Sequence, residues 1–163
     1  MYGRRLNTKL SVLKFIEHYH TGHYVTYQLA LGLDSFLHRG VFSYDPNKVQ
    51  WQLETEKFSL PPGGNLVREF TCVENSADNE FVYVGTTGGE MLVLMRRTNV
   101  FRAIIPVCTN ALTSICVLDN EDIICGGGDG SLHRLNGRDM AWRVVMQVVR
   151  TSNQSIMLIL LHC

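Results

Sequence analysis

Residues 81–94, FVYVGTTGGEMLVL, decide the fold, because the same pattern returns later in the chain. Residues 122–135 read DIICGGGDGSLHRL, and Gly126 follows Gly85 at an interval of 41 residues. In both segments an apolar run leads into a glycine-containing turn and then into a second apolar run. This pattern predicts an antiparallel hairpin, since glycine adopts positive φ without steric cost. The two hairpins align without a gap, with Gly89 on Gly130.

Each hairpin also has an apolar strand pattern on either side. The flanking strands are predicted at residues 66–73 and 99–107 for the first hairpin and at 112–118 and 140–148 for the second. A weaker third copy lies upstream, with strands predicted at 23–31, 34–40, 47–54 and 57–61. Its middle turn is interpreted as containing an insertion, VFSYDP, after Gly40. The sequence therefore predicts three four-stranded units, at residues 23–61, 66–107 and 112–148.

Four short strands repeated every 40 to 45 residues are typical of WD-type β-propeller blades. A β-sandwich of short strands is the alternative, but a sandwich has no reason to keep a fixed period with matched glycines. We expect residues 8–16 to be the outer strand of a preceding blade and residues 155–161 the inner strand of a following blade. The prediction is thus an all-β fold over residues 1–163. It consists of WD-type propeller blades in an incomplete ring, part of a longer protein or completed by another chain.

The composition restricts the possible partners. Hydrophobic residues make up 45% of the chain and charged residues 18%, which is typical of a globular protein. The 15 Lys and Arg residues balance the 15 Asp and Glu residues, so nothing indicates nucleic acid or an anionic membrane as a partner. The longest apolar run, IMLILL, is too short for a membrane span, and no signal peptide is evident. Five cysteines without a CxxC pair favour a reducing, intracellular compartment.

Two short motifs suggest ligand binding. The glycines of GGGDGS (126–131) resemble a phosphate loop, but they lead into a strand pattern rather than a helix N-terminus, which favours a tight turn. In HYHTGH, a strand would place His18 and His20 on one face, as two metal ligands require, with His23 close by. Glu17 is the one further ligand type nearby, and whether these histidines bind a metal stays open.

No constellation indicates catalysis. The loop acids Asp78, Glu80, Asp119, Glu121 and Asp122 are of the kind that forms turns and provides surface charge. The chain has no GxSxG elbow and no cysteine context typical of a protease. We therefore predict a protein that is not an enzyme, with no catalytic, cofactor-binding or metal residues and no cofactor.

Residues 67–101, VREFTCVENSADNEFVYVGTTGGEMLVLMRRTNVF, resemble the cilia- and flagella-associated WD-repeat proteins. The matching features are GTT-x-G followed by an acid and two apolar residues, a downstream RT, and Trp51 in VQWQLE. Trp51 is interpreted as the late third-strand tryptophan of the WD pattern, while Leu94 and Leu135 replace it in the other units and no Trp-Asp pair occurs. The resemblance covers residues 24–160, the later blades of a first propeller.

The resemblance implies a function as well as a fold. Proteins of this family have two propellers and belong to axonemal doublet microtubules. The resemblance therefore implies a non-catalytic scaffold for protein–protein interactions, with tubulin and other axonemal microtubule-associated proteins as partners. The implied location is the cytoplasm and cytoskeleton, in the axoneme of a cilium or flagellum. The alternative is a propeller-based enzyme or small-ligand module.

Overall fold

The chain forms three antiparallel β-sheets that follow one another along the sequence. The computed structural model describes residues 8–59, 69–150 and 156–160. The first sheet contains β1 (Leu10–Thr21), β2 (Tyr24–Leu33), β3 (Phe36–Asp45) and β4 (Gln50–Lys57). The second contains β5 (Phe70–Asn75), β6 (Phe81–Thr86), β7 (Glu90–Met95) and β8 (Val100–Pro106). The third contains β9 (Leu112–Val117), β10 (Asp122–Gly127), β11 (Ser131–Asn136), β12 (Arg143–Arg150) and β13 (Ile156–Leu160), with a 3₁₀ turn at Arg138–Met140.

The second sheet is buried on both faces because four successive apolar side chains occupy each of its two central strands, at 81–84 in β6 and 91–94 in β7. Successive residues of a strand point to opposite faces. Val82, Val84, Leu92 and Leu94 therefore pack with the first sheet, in a cluster that includes Leu37. The alternate residues Phe81, Tyr83, Met91 and Val93 pack with the third sheet, in a cluster that includes Leu135. Val82, Val84, Ile123 and Cys125, apolar residues of the two hairpins, are fully buried between sheets.

The sheets stack like propeller blades, with their first strands converging. Strand β5 contacts both β1 and β9, the first strands of the neighbouring sheets. At the second of these contacts, the Thr71 hydroxyl donates a hydrogen bond to the carbonyl oxygen of Leu112, 41 residues further along. Sheets that stack side by side and pair strands only within themselves are blades, as the repeat predicted.

The predicted hairpin turns at Gly88–Gly89 and Gly128–Gly130 are confirmed. Strand β6 pairs with β7, and β10 pairs with β11. Gly89 has a φ of 81° and Gly130 a φ of 80°, in the region that favours glycine. A Cβ at Gly89 would also collide with the backbone carbonyl oxygens of Cys108 and Asn110, so the loop after β8 packs directly on this turn.

The assignment of strands in the first blade is corrected by one strand. The predicted outer strand of a preceding blade, residues 8–16, lies largely within β1, which pairs with β2 in the first sheet. Residues 57–61 do not form a fourth strand; Ser59 makes a single parallel bridge to Val100, and residues 60 and 61 lie outside the described residues. The blade therefore runs from Leu10 to Lys57 rather than over 23–61.

The reason for this correction is the position of the turns. Gly22, with a φ of 62°, closes a two-residue loop between Thr21 and Tyr24, so β1 and β2 form a hairpin. Gly40 lies inside β3, and the segment interpreted as an insertion continues that strand to Asp45. Trp51 consequently lies in β4, a fourth strand and not a third.

The assignment of the last strand to a blade is also corrected. Residues 155–161 are predicted as the inner strand of a following blade, but β13, which lies within this range, pairs antiparallel with β12 as a fifth strand of the third sheet; residues 155 and 161 lie outside the described residues. The connection from Arg150 to Ile156 is short, and short connections return a strand antiparallel beside its predecessor. No helix within the described ranges has the length and hydropathy of a membrane-spanning segment.

Candidate interaction surfaces

The first sheet turns one face away from the other two sheets, and this face is rich in aromatic and apolar side chains. We call it the aromatic face and define it by Leu13, Phe15, Tyr27, Phe42 and Trp51. Cross-strand pairing places them together, since Leu13 opposes Leu31, Tyr27 opposes Phe42 and Tyr44 opposes Trp51. Leu13 is 58% exposed and Trp51 is 53% exposed. Exposed apolar patches are surfaces that pack against another protein surface, so this face is a candidate interaction surface.

Ring contacts hold the aromatic face in a fixed arrangement. Phe42 stacks on Trp51 with ring centroids 4.5 Å apart and planes 8° from parallel. Tyr44 contacts the same indole at 4.3 Å, and Phe15 meets Tyr27 edge-on at 6.4 Å. Such pairs add about 0.5–1.5 kcal/mol each beyond area burial, so the surface is preorganised before any partner binds.

The opposite end of the stack, the free face of the third sheet, is more polar. Adding the 41-residue interval to Phe81, Tyr83, Met91 and Val93 gives Asp122, Ile124, Leu132 and Arg134. Two of the four apolar positions of a buried interface are therefore replaced by charged residues. Arg134 donates from both Nη2 and Nε to Oδ2 of Asp122, at 2.6 and 3.0 Å. The two ends of the stack thus present different chemistry to a partner.

The GGGDGS segment contains a polar network and no phosphate cradle. Its glycines join β10 to β11 rather than leading into a helix. Asp129 accepts hydrogen bonds from the Ser131 hydroxyl and from the Ser131 backbone N–H, the latter at 2.9 Å. It also accepts from the Thr109 hydroxyl at 2.9 Å, which ties the turn to the neighbouring loop. These bonds hold the pKa of Asp129 well below its usual range.

The proton positions in this network disfavour a nucleophilic serine. The Ser131 hydroxyl donates its single proton to the Asp129 carboxylate, so His133 Nε2, 2.7 Å from the Ser131 oxygen, must be the donor of the second bond. Nδ1 of His133 is then a bare, buried nitrogen without a hydrogen-bond partner among the described residues. Burial lowers the pKa of His133, which keeps the ring neutral. A histidine that donates to a serine cannot act as its general base.

The three histidines of HYHTGH do not converge. His18 and His20 lie on the aromatic face with ring centroids 6.5 Å apart, and His18 also contacts Tyr27 at 6.2 Å. His23 lies in the turn and approaches the carboxylate of Asp45, with Nε2 and Oδ1 separated by 3.4 Å. In the part of the chain that the structure describes, no three His, Cys, Asp or Glu side chains form a group able to hold a metal ion.

The loop acids predicted as turn-formers include two that organise their own turns. Oδ1 of Asp78 accepts from the Glu80 backbone N–H at 2.9 Å, and the Asn120 side chain binds both the backbone and the carboxylate of Asp122. The cysteines Cys72, Cys108, Cys116 and Cys125 are free thiols. Burial raises the pKa of Cys125 to about 12, so it remains a protonated, apolar side chain.

This geometry defines the class of the protein: it consists of stacked WD-type propeller blades in an open ring. Solved WD40 propellers have the same fold. The Myceliophteria thermophila Cps50 (Swd1) propeller domain matches 98% of this chain and 46% of its own length, with a TM-score of 0.61 and 12% identity. The C-terminal WD40 domain of Sif2 matches 93% of this chain and 49% of its own, with a TM-score of 0.56 and 12% identity. The chain therefore spans about half of each of these propeller structures.

Comparison with curated proteins gives a more particular likeness. Over 75 residues, the chain is 37% identical to Cilia- and flagella-associated protein 52 of Chlamydomonas reinhardtii. The match covers 44% of this chain and 12% of that protein, so the chain corresponds to a small part of this relative. No family model matches the chain. The resemblance to cilia- and flagella-associated WD-repeat proteins, predicted from the GTTGGE segment, is confirmed over this stretch.

Proposed function

We propose that this chain is a non-catalytic WD-repeat scaffold that binds other proteins in the axoneme of a cilium or flagellum. The observation that carries the proposal is the 37% identity over 75 residues to Cilia- and flagella-associated protein 52. The proposed partners are tubulin and other axonemal microtubule-associated proteins, and the proposed location is the axonemal cytoskeleton.

The surfaces of the molecule support a scaffold. The aromatic face offers a broad, rigid apolar area, whereas in the Asp129–Ser131–His133 network the serine hydroxyl donates to the aspartate and accepts from the histidine. A scaffold needs wide complementary surface, and an enzyme needs a pocket in which reactive groups converge. The free face of the third sheet adds a charged surface through Asp122 and Arg134, which favours directional assembly.

Localisation combined with crosslinking tests this proposal. A tagged chain expressed in ciliated cells should remain with the microtubule doublets after detergent extraction of the axoneme. Crosslinking followed by mass spectrometry should join lysines such as Lys9 or Lys57 to tubulin or a microtubule-associated protein. A matched variant, Trp51→Ala, keeps the sheet–sheet clusters intact and removes the largest ring of the aromatic face.

The expected result is retention of the wild-type chain and reduced retention of the Trp51→Ala variant. Complete release of the wild-type chain into the detergent-soluble fraction, with no crosslink to an axonemal protein, would refute the axonemal part of the proposal. Release of neither chain would place the axonemal contact away from the aromatic face.

A further inference from the structure

A cavity of about 200 Å³ lies between the second and third sheets, at the end of the molecule where β5 turns into β6. It is formed by the loops that follow β5, β9 and β11. Its lining includes four apolar or aromatic side chains and two carboxylates: Phe81, Tyr83, Val117, Met140, Asp78 and Glu121. Neither the repeat nor the proposed scaffold function accounts for this combination.

The aromatic walls of the cavity are fixed in place. Phe81 and Tyr83 are buried side chains of β6 that face the third sheet. The indole of Trp142 packs edge-on against Phe81, with centroids 5.3 Å apart, and its Nε1 donates to the Tyr83 hydroxyl at 3.2 Å. Because Trp142 fixes the orientation of both rings, the aromatic surface that they present to the cavity is preorganised.

The lining also leaves hydrogen-bonding and charge capacity unused. The Tyr83 hydroxyl oxygen accepts the bond from Trp142, while its own proton has no acceptor among the described residues. The Glu121 side chain has no hydrogen-bond or ion-pair partner within the described ranges. Asp78 uses Oδ1 for Ser76 and for the Glu80 backbone, which leaves its second oxygen open.

Two carboxylates border the aromatic wall of the cavity. Burial, and then the charges of Asp78 and Glu121, raise the pKa of Tyr83, so both carboxylates act on the phenol at the wall. Arg138, in the turn after β11, directs its Nε to the backbone carbonyl of Asn120 at 3.1 Å. The cavity therefore combines aromatic walls with two carboxylates, a combination that attracts an organic cation.

We propose that this cavity binds a lysine or arginine side chain of a partner protein. The aliphatic stem packs against Val117 and Met140, and the charged head lies against the rings of Phe81 and Tyr83 with the two carboxylates nearby. The peptide backbone beside that side chain supplies a carbonyl for the unused Tyr83 proton. This inference gives a partner chemistry to the proposed scaffold, and it does not depend on the axonemal location.

Small blocked amino acids test the site on the full chain without a known partner. The probes are Nα-acetyl amides of arginine, lysine, norleucine and glutamate, titrated while the methyl signal of Met140 is followed by NMR. Arginine and lysine amides should shift this signal saturably, whereas norleucine amide, which has the stem without the charge, should shift it far less. Added salt should weaken the binding of the two cationic probes.

Charge-neutralising variants test whether the cationic probes bind at the cavity. Glu121→Gln should weaken binding of the arginine amide by about fivefold, the equivalent of one exposed ion pair of roughly 1 kcal/mol. Glu80→Gln is the matched control, because Glu80 lies in the same group of loops but does not line the cavity. Fluorescence of the buried Trp142 verifies that each variant keeps the fold.

Three outcomes would overturn the inference: no Met140 shift with the cationic probes, equal binding of norleucine amide, or unchanged affinity in Glu121→Gln. Equal weakening by Glu80→Gln would also overturn it, because the effect would then come from net charge and not from the cavity. Failure here would leave the axonemal proposal standing, since retention on doublets is measured separately and depends on the aromatic face.

Discussion

Replacing Ile123 by alanine should destabilise the protein far more than the same change at its neighbour, Ile124. Ile123 is fully buried between the second and third sheets, in a cluster with Tyr83, Leu135 and Trp142. Ile124 follows it in β10, and its side chain therefore points to the opposite, free face of the third sheet. The two variants remove the same atoms from positions 123 and 124, so their difference isolates the effect of burial between sheets.

The magnitude follows from the complete burial of Ile123. Removing the buried methylene and methyl groups and leaving a cavity costs about 2–5 kcal/mol in Ile→Ala variants, and Ile→Val costs roughly 0.5–1.5 kcal/mol. We expect Ile123→Ala to lie within the first range and Ile123→Val within the second. Ile124→Ala should cost less than about 1 kcal/mol, as at partly exposed positions where little cavity forms.

Urea unfolding monitored by Trp142 fluorescence measures these free energies. Trp142 is buried in the same cluster, so its emission reports directly on separation of the second and third sheets. Because Trp51 is largely exposed, a Trp51→Phe background removes its signal with little effect on the core. Equal losses in Ile123→Ala and Ile124→Ala would refute the stacking of the sheets. A larger loss in Ile124→Ala would mean that β10 is shifted by one residue.

Three further predictions concern the turns, the polar network and the interface rim. Of three glycine-to-alanine variants, Gly89→Ala should lower the melting temperature most, because its Cβ would meet two carbonyl oxygens. Gly130→Ala should cost only the positive-φ penalty of about 1–2 kcal/mol. Gly88→Ala should be the mildest, since its Cβ would meet no atom closer than 3.7 Å. The folded-state pKa of Asp129 is lowered, so its contribution to the free energy of unfolding is present above its ordinary pKa of 3.8 and is lost as the pH falls through the folded-state pKa. The Asp129→Asn variant should therefore show a flatter acid side in a plot of unfolding free energy against pH. Lys14 and Glu74 form an ion pair between the first two sheets, with Nζ and Oε1 2.6 Å apart. A double-mutant cycle on this pair should give a coupling energy of about 0.5–1 kcal/mol that diminishes with salt. A coupling energy of zero at low salt would mean that the two side chains do not interact across the interface.

The second sheet and the first four strands of the third could be predicted from sequence because turn and strand signals agree there. The glycines of both hairpins stand where positive φ or close backbone approach requires them. The strands of the second sheet alternate toward two apolar neighbours, and those of the third sheet alternate between one apolar neighbour and a free face. When local conformation and burial pattern give the same answer, a 41-residue interval is sufficient to place every strand within a few residues.

The first sheet was harder because its turn signals are misleading. Its true tight turns use Gly22 and Asp34, the latter with a φ of 52°, while the conspicuous Gly40 lies within a strand. In the structure, the missing Cβ of Gly40 is explained by packing, since a Cβ there would meet the Leu31 side chain. A glycine required by side-chain packing cannot be distinguished from a turn glycine when one sequence is read alone.

The cavity between the second and third sheets could not have been found from sequence. Asp78 and Glu121 were recognised as loop acids, but nothing in the spacing shows that loops 43 residues apart converge on the rings of Phe81 and Tyr83. Trp142 falls inside the strand predicted at 140–148, but it precedes β12 and has a φ of 43°, so the strand pattern did not indicate its place beside the cavity. The site arises from tertiary packing of three loops.

Amide hydrogen exchange resolved by strand tests the stacked-blade account most directly. Strands β6 and β7 lie at the centre of the middle sheet and are covered by a neighbouring sheet on each face, whereas β4 is an edge strand whose side chains are mostly exposed. The account predicts that the amides of Val82 to Val84 and Leu92 to Leu94 exchange most slowly, at the rate of global unfolding. Exchange of β6 and β7 as fast as that of β4 would contradict the stacking of three blades.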